Sequence, residues 1–135
     1  MGILKTIEVD FPSDLVEDFL SHYSLMCELM EPLIIKLERE DLYKDSINEL
    51  FRIFHNIKSS ASYMKLDTIS KLAMMCEDVM EEARMLKGPA NTEFTDWLLL
   101  VSDQFTSFSN DINEDKEYFS ILNPKIIAIP TKLDI

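Results

Sequence analysis

Apolar residues recur at helical spacing in four stretches of this chain, with polar positions filling the faces between them. In the first, Leu15, Phe19, Met26, Leu29, Leu33 and Leu37 fall three, four or seven residues apart, which predicts a long amphipathic helix ending near Arg39. Ser13 is placed to cap it, and Asp14 and Glu17 complement the helix dipole. Pro32 removes one hydrogen bond of the ladder, so a kink or a break into two helices is expected there. Ser46-Ile47-Asn48-Glu49 has the form of a capping box and starts a second predicted helix, running to about Tyr63. Its apolar stripe is Ile47, Leu50, Phe51, Phe54, Ile57, Ala61 and Met64. Asp67 can cap a third helix carrying Ile69, Leu72, Ala73, Cys76, Val79, Met80 and Ala83, which Lys87-Gly88-Pro89 ends. A fourth runs from about Thr92 to about Ile112, with Trp97, Leu98, Val101, Phe105 and Phe108 inward.

The ends of the chain lack this periodicity. Residues 1–12 read as an N-terminal lead-in closing on Phe11-Pro12, residues 13–117 as the helical bundle, and residues 118–135 as a tail. Ile126, Ile127 and Ile129 lie between Pro124 and Pro130, which suits an extended segment better than a helix. The tail would lie along the bundle or lead into further chain. Four helices with short connections predict an all-α fold, an antiparallel up-and-down four-helix bundle.

Composition supports one domain. The chain has 135 residues, 47% of them hydrophobic, and only two glycines and five prolines, which favours helices over a turn-rich sheet. No apolar run reaches about 18 residues, and no basic segment followed by an apolar one opens the chain; neither a membrane span nor a secretory signal is expected. Cys27 and Cys76 sit inside helical patterns and read as free thiols in a reducing compartment, the cytoplasm. A net charge of −12 would repel a phosphate backbone, so nucleic acid is not an expected partner.

Candidate chemistry is sparse. There is no glycine-rich phosphate loop, no CxxC, no HExxH and no Glu-x-x-His pair of the di-iron kind, so neither a metal nor a bound cofactor is expected. The two histidines are His22 and His55. His22 has mixed neighbours and reads as a surface or boundary residue. His55 falls about 100–120° from the centre of its helix's apolar stripe, on a strip shared with Phe51, Lys58 and Ser62. By position alone it is a surface histidine at the border of the core.

Its neighbours suggest more. Lys58 lies one turn on, where its ammonium could meet anionic oxygens at the imidazole. Ser59, Ser60, Ala61 and Ser62 form a run of small residues that either packs closely on a neighbouring helix or leaves a flat surface for another protein. If the second and third helices form a hairpin turning near Lys65, His55 and Glu77 lie about 15 and 18 Å from the turn, at similar heights. A carboxylate there could accept a hydrogen bond from one ring nitrogen, fix the tautomer and leave the other nitrogen nucleophilic. It could also be only an exposed charge.

Phe51-Arg52-Ile53-Phe54-His55-Asn56-Ile57-Lys58-Ser59-Ser60-Ala61 resembles the F-R-x-x-H-x-x-K-G-x-A signature of histidine-containing phosphotransfer (HPt) domains. Cys76 to Arg84 is similar to the corresponding stretch in CheA-type chemotaxis kinases, and Phe19 to Glu40 to the first helix of the same domains. The resemblance covers about residues 13–113 and implies a phosphorylated histidine at His55, a basic partner for the phosphoryl oxygens at Lys58, and a ring-bonding glutamate at Glu77. Three positions depart from the pattern. Ser59 replaces a glycine, Lys65 replaces a glycine at a helix-ending position, and Met74 stands where a second histidine is common.

These readings converge on a monomeric phosphocarrier of a phosphorelay or chemotaxis-type system. It is not an enzyme in itself. A receiver domain or histidine kinase would dock on the strip formed by Phe51, Ser59 and Ser62, and Mg²⁺ would sit on that partner. The alternatives are a pseudo-HPt module that docks a receiver or kinase without carrying phosphate, and a helical adaptor in which His55 is incidental.

Overall fold

A computed structural model describes all residues, 1–135. Six helices follow in order: α1 (Ile3–Asp10), α2 (Ser13–Lys36), α3 (Glu40–Tyr63), α4 (Asp67–Ala83), α5 (Thr92–Asn113) and α6 (Pro124–Ile127). The four long ones, α2–α5, form the expected antiparallel bundle. Antiparallel pairing shows in the cross-helix contacts: Ser62 meets Ser70 near the α3–α4 turn, and Tyr43 meets Ala83 at the far end. α2 lies against both α3 and α5.

The predicted stripes form the core. Ile47, Leu50, Phe54, Ile57 and Ala61 of α3, Ile69 to Ala83 of the α4 stripe, and Trp97, Leu98, Val101, Phe105 and Phe108 of α5 are all buried. Buried hydroxyl and indole donors are matched to backbone oxygens: Tyr23 donates to Phe105 O at 2.7 Å, Tyr43 to Ala83 O at 2.7 Å and Trp97 Nε1 to Ile126 O at 2.8 Å. Leu29 was expected inward and is exposed.

Several helix ends differ from the sequence expectation. Pro12 holds the N-cap position of α2, with Ser13 the first helical residue and no side-chain cap bond. A residue with fixed φ near −60° and no N–H to satisfy suits that place. α2 runs through Pro32 without a break. Pro32 and Glu28, whose carbonyl loses its partner, lie on the exposed side where water can replace the missing donor. α3 begins at Glu40, six residues before the capping box, and Ser46 is a buried interior residue. Tyr43 explains this: packed in the core and bonded to Ala83, it draws the preceding turn into the helix. Leu66, not Asp67, occupies the N-cap position of α4. α4 ends at Ala83, before Lys87. Gly88 adopts φ +75°, and a Cβ there would meet the Tyr43 ring at 2.3 Å.

Lys65 takes the left-handed conformation, φ 60°, that its helix-ending position calls for. Leu66 N donates to Ala61 O at 2.8 Å and Lys65 N to Ser62 O at 3.1 Å, a Schellman closure of α3. The turn therefore survives the loss of glycine and carries its strain. Lys65→Gly is expected to stabilise the fold by about 0.5–1 kcal/mol in urea unfolding, with unchanged m-value.

Both ends of the chain add structure to the bundle. Residues 3–10 form α1, with Ile3 and Ile7 buried. The tail is not a plain extended segment: Asn123 caps the one-turn helix α6, Pro124 opens it, and Ile126 is fully buried. Asn91 Nδ2 donates to Lys132 O at 2.8 Å, Ile135 N donates to Pro89 O at 3.1 Å, and Leu133 is buried. The tail thus lies along the bundle. No helix is long and apolar enough to cross a membrane.

Candidate functional site

The Schellman turn at Lys65 sets the register between α3 and α4, and that register brings His55 opposite Glu77. His55 Nδ1 lies 3.0 Å from Glu77 Oε2, and Lys58 Nζ donates to Glu77 Oε1 at 2.9 Å. One carboxylate therefore ties together two residues a turn apart on α3. The His55 side chain is 52% exposed while that of Glu77 is only 17% exposed, so the bond lies inward and the rest of the ring faces solvent.

Electrostatics fix the roles of these atoms. Burial alone would raise the Glu77 carboxyl, but hydrogen bonds and charge from Lys58 and His55 outweigh it and hold the group below the ordinary glutamate range. An ionised carboxylate can only accept, so Nδ1 carries the ring proton. In the neutral imidazole Nε2 is then left with its lone pair. Lys58 faces Glu77 rather than standing free.

The rest of the His55 strip divides. Phe51 lies one turn before His55, half-buried, with the two rings nearly parallel at 11° and their centroids 6.3 Å apart. Ser59 is exposed. Ser62 is exposed too, but its hydroxyl lies 2.7 Å from that of Ser70 on α4. Ala61 is buried, and Ser60 Oγ donates to Asn56 O at 2.9 Å. Part of the small-residue run faces α4, with Ala61 buried and the Ser62 hydroxyl bonded to Ser70, while Ser59 lies on the surface. Met74 is exposed and His22 lies on α2, at a groove lined by Leu15, Phe19, Ser60 and Tyr63, away from Glu77. Cys27 and Cys76 are free thiols, as expected.

Arg84 is the residue that sequence reasoning did not single out. Its guanidinium carbon sits 4.4 Å from the Phe51 ring centroid, and Glu81 Oε2 lies 3.5 Å from its Nη1. A signal was present. Arg84 follows Glu77 by seven residues, which places it on the same face of α4 two turns on. In an antiparallel hairpin that is the level two turns before His55, and the long Arg84 side chain spans the remaining turn back to Phe51.

A histidine bonded through Nδ1 to a buried-side glutamate, with Nε2 presented on a four-helix bundle, defines a class of protein. The Hpt domain family model matches residues 14–108. This chain belongs to that family. It is 33% identical over 76 residues to a sensor histidine kinase CheAY of Helicobacter pylori, covering 56% of the chain and 10% of the relative. It is 27% identical over 90 residues to a chemotaxis protein CheA of Treponema pallidum, covering 67% of the chain and 11% of the relative. A chemotaxis protein CheA of Borreliella burgdorferi is 28% identical over 86 residues, 64% of the chain and 10% of the relative. The chain thus spans about a tenth of the length of these curated relatives. No solved structure matches.

Proposed function

We propose that this chain is a histidine phosphocarrier in which His55 accepts a phosphoryl group on Nε2 and passes it to, or takes it from, an aspartate of a receiver domain. A histidine kinase is the other expected partner. The observation that carries this reading is the 3.0 Å contact from His55 Nδ1 to Glu77 on an otherwise open ring. In the transfer the Nε2 lone pair forms the N–P bond as the donor's bond to phosphorus breaks in line. The positive charge arising on the imidazolium is met by Glu77. Lys58, tethered to that carboxylate at 2.9 Å, brings a cation to the same site for the phosphoryl oxygens.

The transfer needs a partner to complete it. Mg²⁺ and the remaining catalytic groups would be the partner's, docked over Phe51, Ser59 and Ser62. The relatives named as a sensor kinase and as chemotaxis proteins favour a signalling role. The reading puts the chain in the cytoplasm, where ATP-fed kinases and the free thiols of Cys27 and Cys76 both belong. A monomer suffices, since one chain supplies all three residues.

Incubation with a histidine kinase and ATP, or with phosphorylated receiver domains, tests the proposal. Label that is acid-labile, base-stable and recovered on the peptide containing His55 is expected. Reproducible absence of label across several partners would overturn it in favour of a docking module that carries no phosphate. Exposed Met74, in place of the second histidine common in such domains, is the feature that favours this second reading.

A further inference from the structure

One hydrogen bond at Nδ1 anchors an edge of the His55 ring but leaves its plane weakly determined, because the terminal χ2 torsion of histidine is broad. The structure supplies a second constraint on the opposite side of the problem. The ring of Phe51, a turn earlier on α3, lies nearly parallel to that of His55, at an interplanar angle of 11°. Phe51 is packed against the core and carries the Arg84 guanidinium over its face at 4.4 Å. Arg84 is in turn tethered to Glu81. A cation over the ring face is attracted by the ring quadrupole, so α4 holds Phe51 in place as it holds His55 through Glu77.

We infer that Phe51, pinned by Arg84, is a positioning residue that sets the plane of the His55 imidazole for phosphoryl transfer. Glu77 fixes which nitrogen is free, and the Arg84–Phe51 pair fixes where that nitrogen points. This inference rests on His55 being the phosphoacceptor, and it gives Phe51 a role distinct from docking a partner. The chain of contacts runs Glu81, Arg84, Phe51, His55, Glu77, beginning and ending on α4, so the imidazole is held from two levels of one helix.

A small phosphoryl donor separates positioning from docking, because it has no protein surface to recognise. With phosphoramidate, His55 Nε2 forms the bond to phosphorus while the P–N bond of the donor breaks, ammonia leaves, and the Nδ1 proton stays against Glu77. The readouts are the rate of uptake from phosphoramidate and the NMR resonances of the His55 ring protons, which lie in the aromatic field of Phe51. Phe51→Leu is expected to slow uptake by about 3–10-fold and to shift the His55 ring resonances, leaving those of His22 in place. Phe51→Tyr keeps the aromatic face and should restore both. Arg84→Gln should move both readouts in the same direction as Phe51→Leu, by less.

Wild-type uptake from phosphoramidate in Phe51→Leu would overturn the inference even if the His55 resonances move, since loss of the Phe51 ring field alone shifts them, and loss of transfer only from a protein donor would assign Phe51 to docking. If Phe51→Leu does not fold, Arg84→Gln decides on the same two readouts. Failure of the wild-type chain to take up phosphoryl on His55 from any donor would instead overturn the phosphoacceptor reading itself.

Discussion

Replacing His55 by glutamine is expected to abolish phosphoryl uptake, and replacing Glu77 by alanine to slow it by about 10–100-fold with His55 still the labelled residue. The first follows because glutamine keeps a polar side chain of similar reach but has no nucleophilic nitrogen. The second magnitude comes from the bond that is lost. A hydrogen bond to a charged group contributes about 1.5–3 kcal/mol, and each 1.36 kcal/mol of transition-state stabilisation is about tenfold in rate. In the proposed transfer Glu77 would act on the transition state twice, by keeping the proton on Nδ1 and by facing the imidazolium charge as it forms. Glu77→Ala also releases Lys58, whose only ion pair is with that carboxylate. Single-turnover rates from a saturating phosphodonor measure the effect. A rate in Glu77→Ala equal to wild type would remove Glu77 from the chemistry and leave its ion pairs as structural only.

A stability control keeps the two effects apart. Because its neighbours hold the Glu77 carboxyl below its ordinary value, its contribution to folding is fully present above the ordinary glutamate range and is lost as pH falls through the lowered value. At neutral pH the Glu77→Ala chain forgoes that contribution as well. Its folded fraction, read by far-UV circular dichroism, must match wild type before rates are compared.

Much of this site was legible in the sequence because helices translate spacing into geometry. Counting residues from a turn at Lys65 placed His55 and Glu77 at one height, and the structure joins them at 3.0 Å. What spacing could not show is how a side chain divides itself between partners. Spacing puts Lys58 one turn from His55 and does not show that its ammonium also bonds Glu77. Ser62 is exposed, as its place on the strip implies, but spacing does not show that its hydroxyl meets Ser70. Phe51 was placed on the exposed strip, and it lies under Arg84. All three contacts are made across α3 and α4, between residues 19, 8 and 33 positions apart.

The helix ends were harder, for the same reason. Ser46 has the sequence context of a cap, yet the burial of Tyr43 three residues earlier carries the helix past it. Tertiary packing outweighs a local cap here. Local patterns locate the apolar faces; they do not say how far packing extends each helix. The tail shows the limit most plainly. Nothing in the spacing of Ile126, Ile127 and Ile129 distinguishes a strap on the bundle from a free linker.

The stretch of that strap between Ser120 and Ile126 should loosen as a unit when either of its two anchors is removed, while Asn91 and Pro89 still hold the far end. At one anchor Asp111 is only 1% exposed, accepts from Ser120 N at 2.6 Å and Ser120 Oγ at 2.9 Å, and forms an ion pair with Lys116 Nζ at 3.3 Å. Burial alone would raise this carboxyl, but the bonds from Ser120 and Lys116 outweigh it and hold it below the usual aspartate range. At the other anchor Ile126 fills the space beside Trp97, whose indole donates to the Ile126 carbonyl at 2.8 Å. Asp111→Ala is expected to cost about 2–3 kcal/mol and Ile126→Ala about 2–5 kcal/mol, both large against a total of about 5–15 kcal/mol. In either variant Trp97 emission should shift to the red before the helices melt. Because each substitution frees the same segment, the double variant should cost less than the sum of the two. The Asp111 contribution also sets a pH signature. It is complete above the ordinary aspartate range and fades as pH falls through the lowered value, so wild-type stability should drop with acid more steeply than that of Asp111→Ala. Additive costs, with Trp97 emission unchanged until global unfolding, would show the two anchors to be independent and the tail to be no strap.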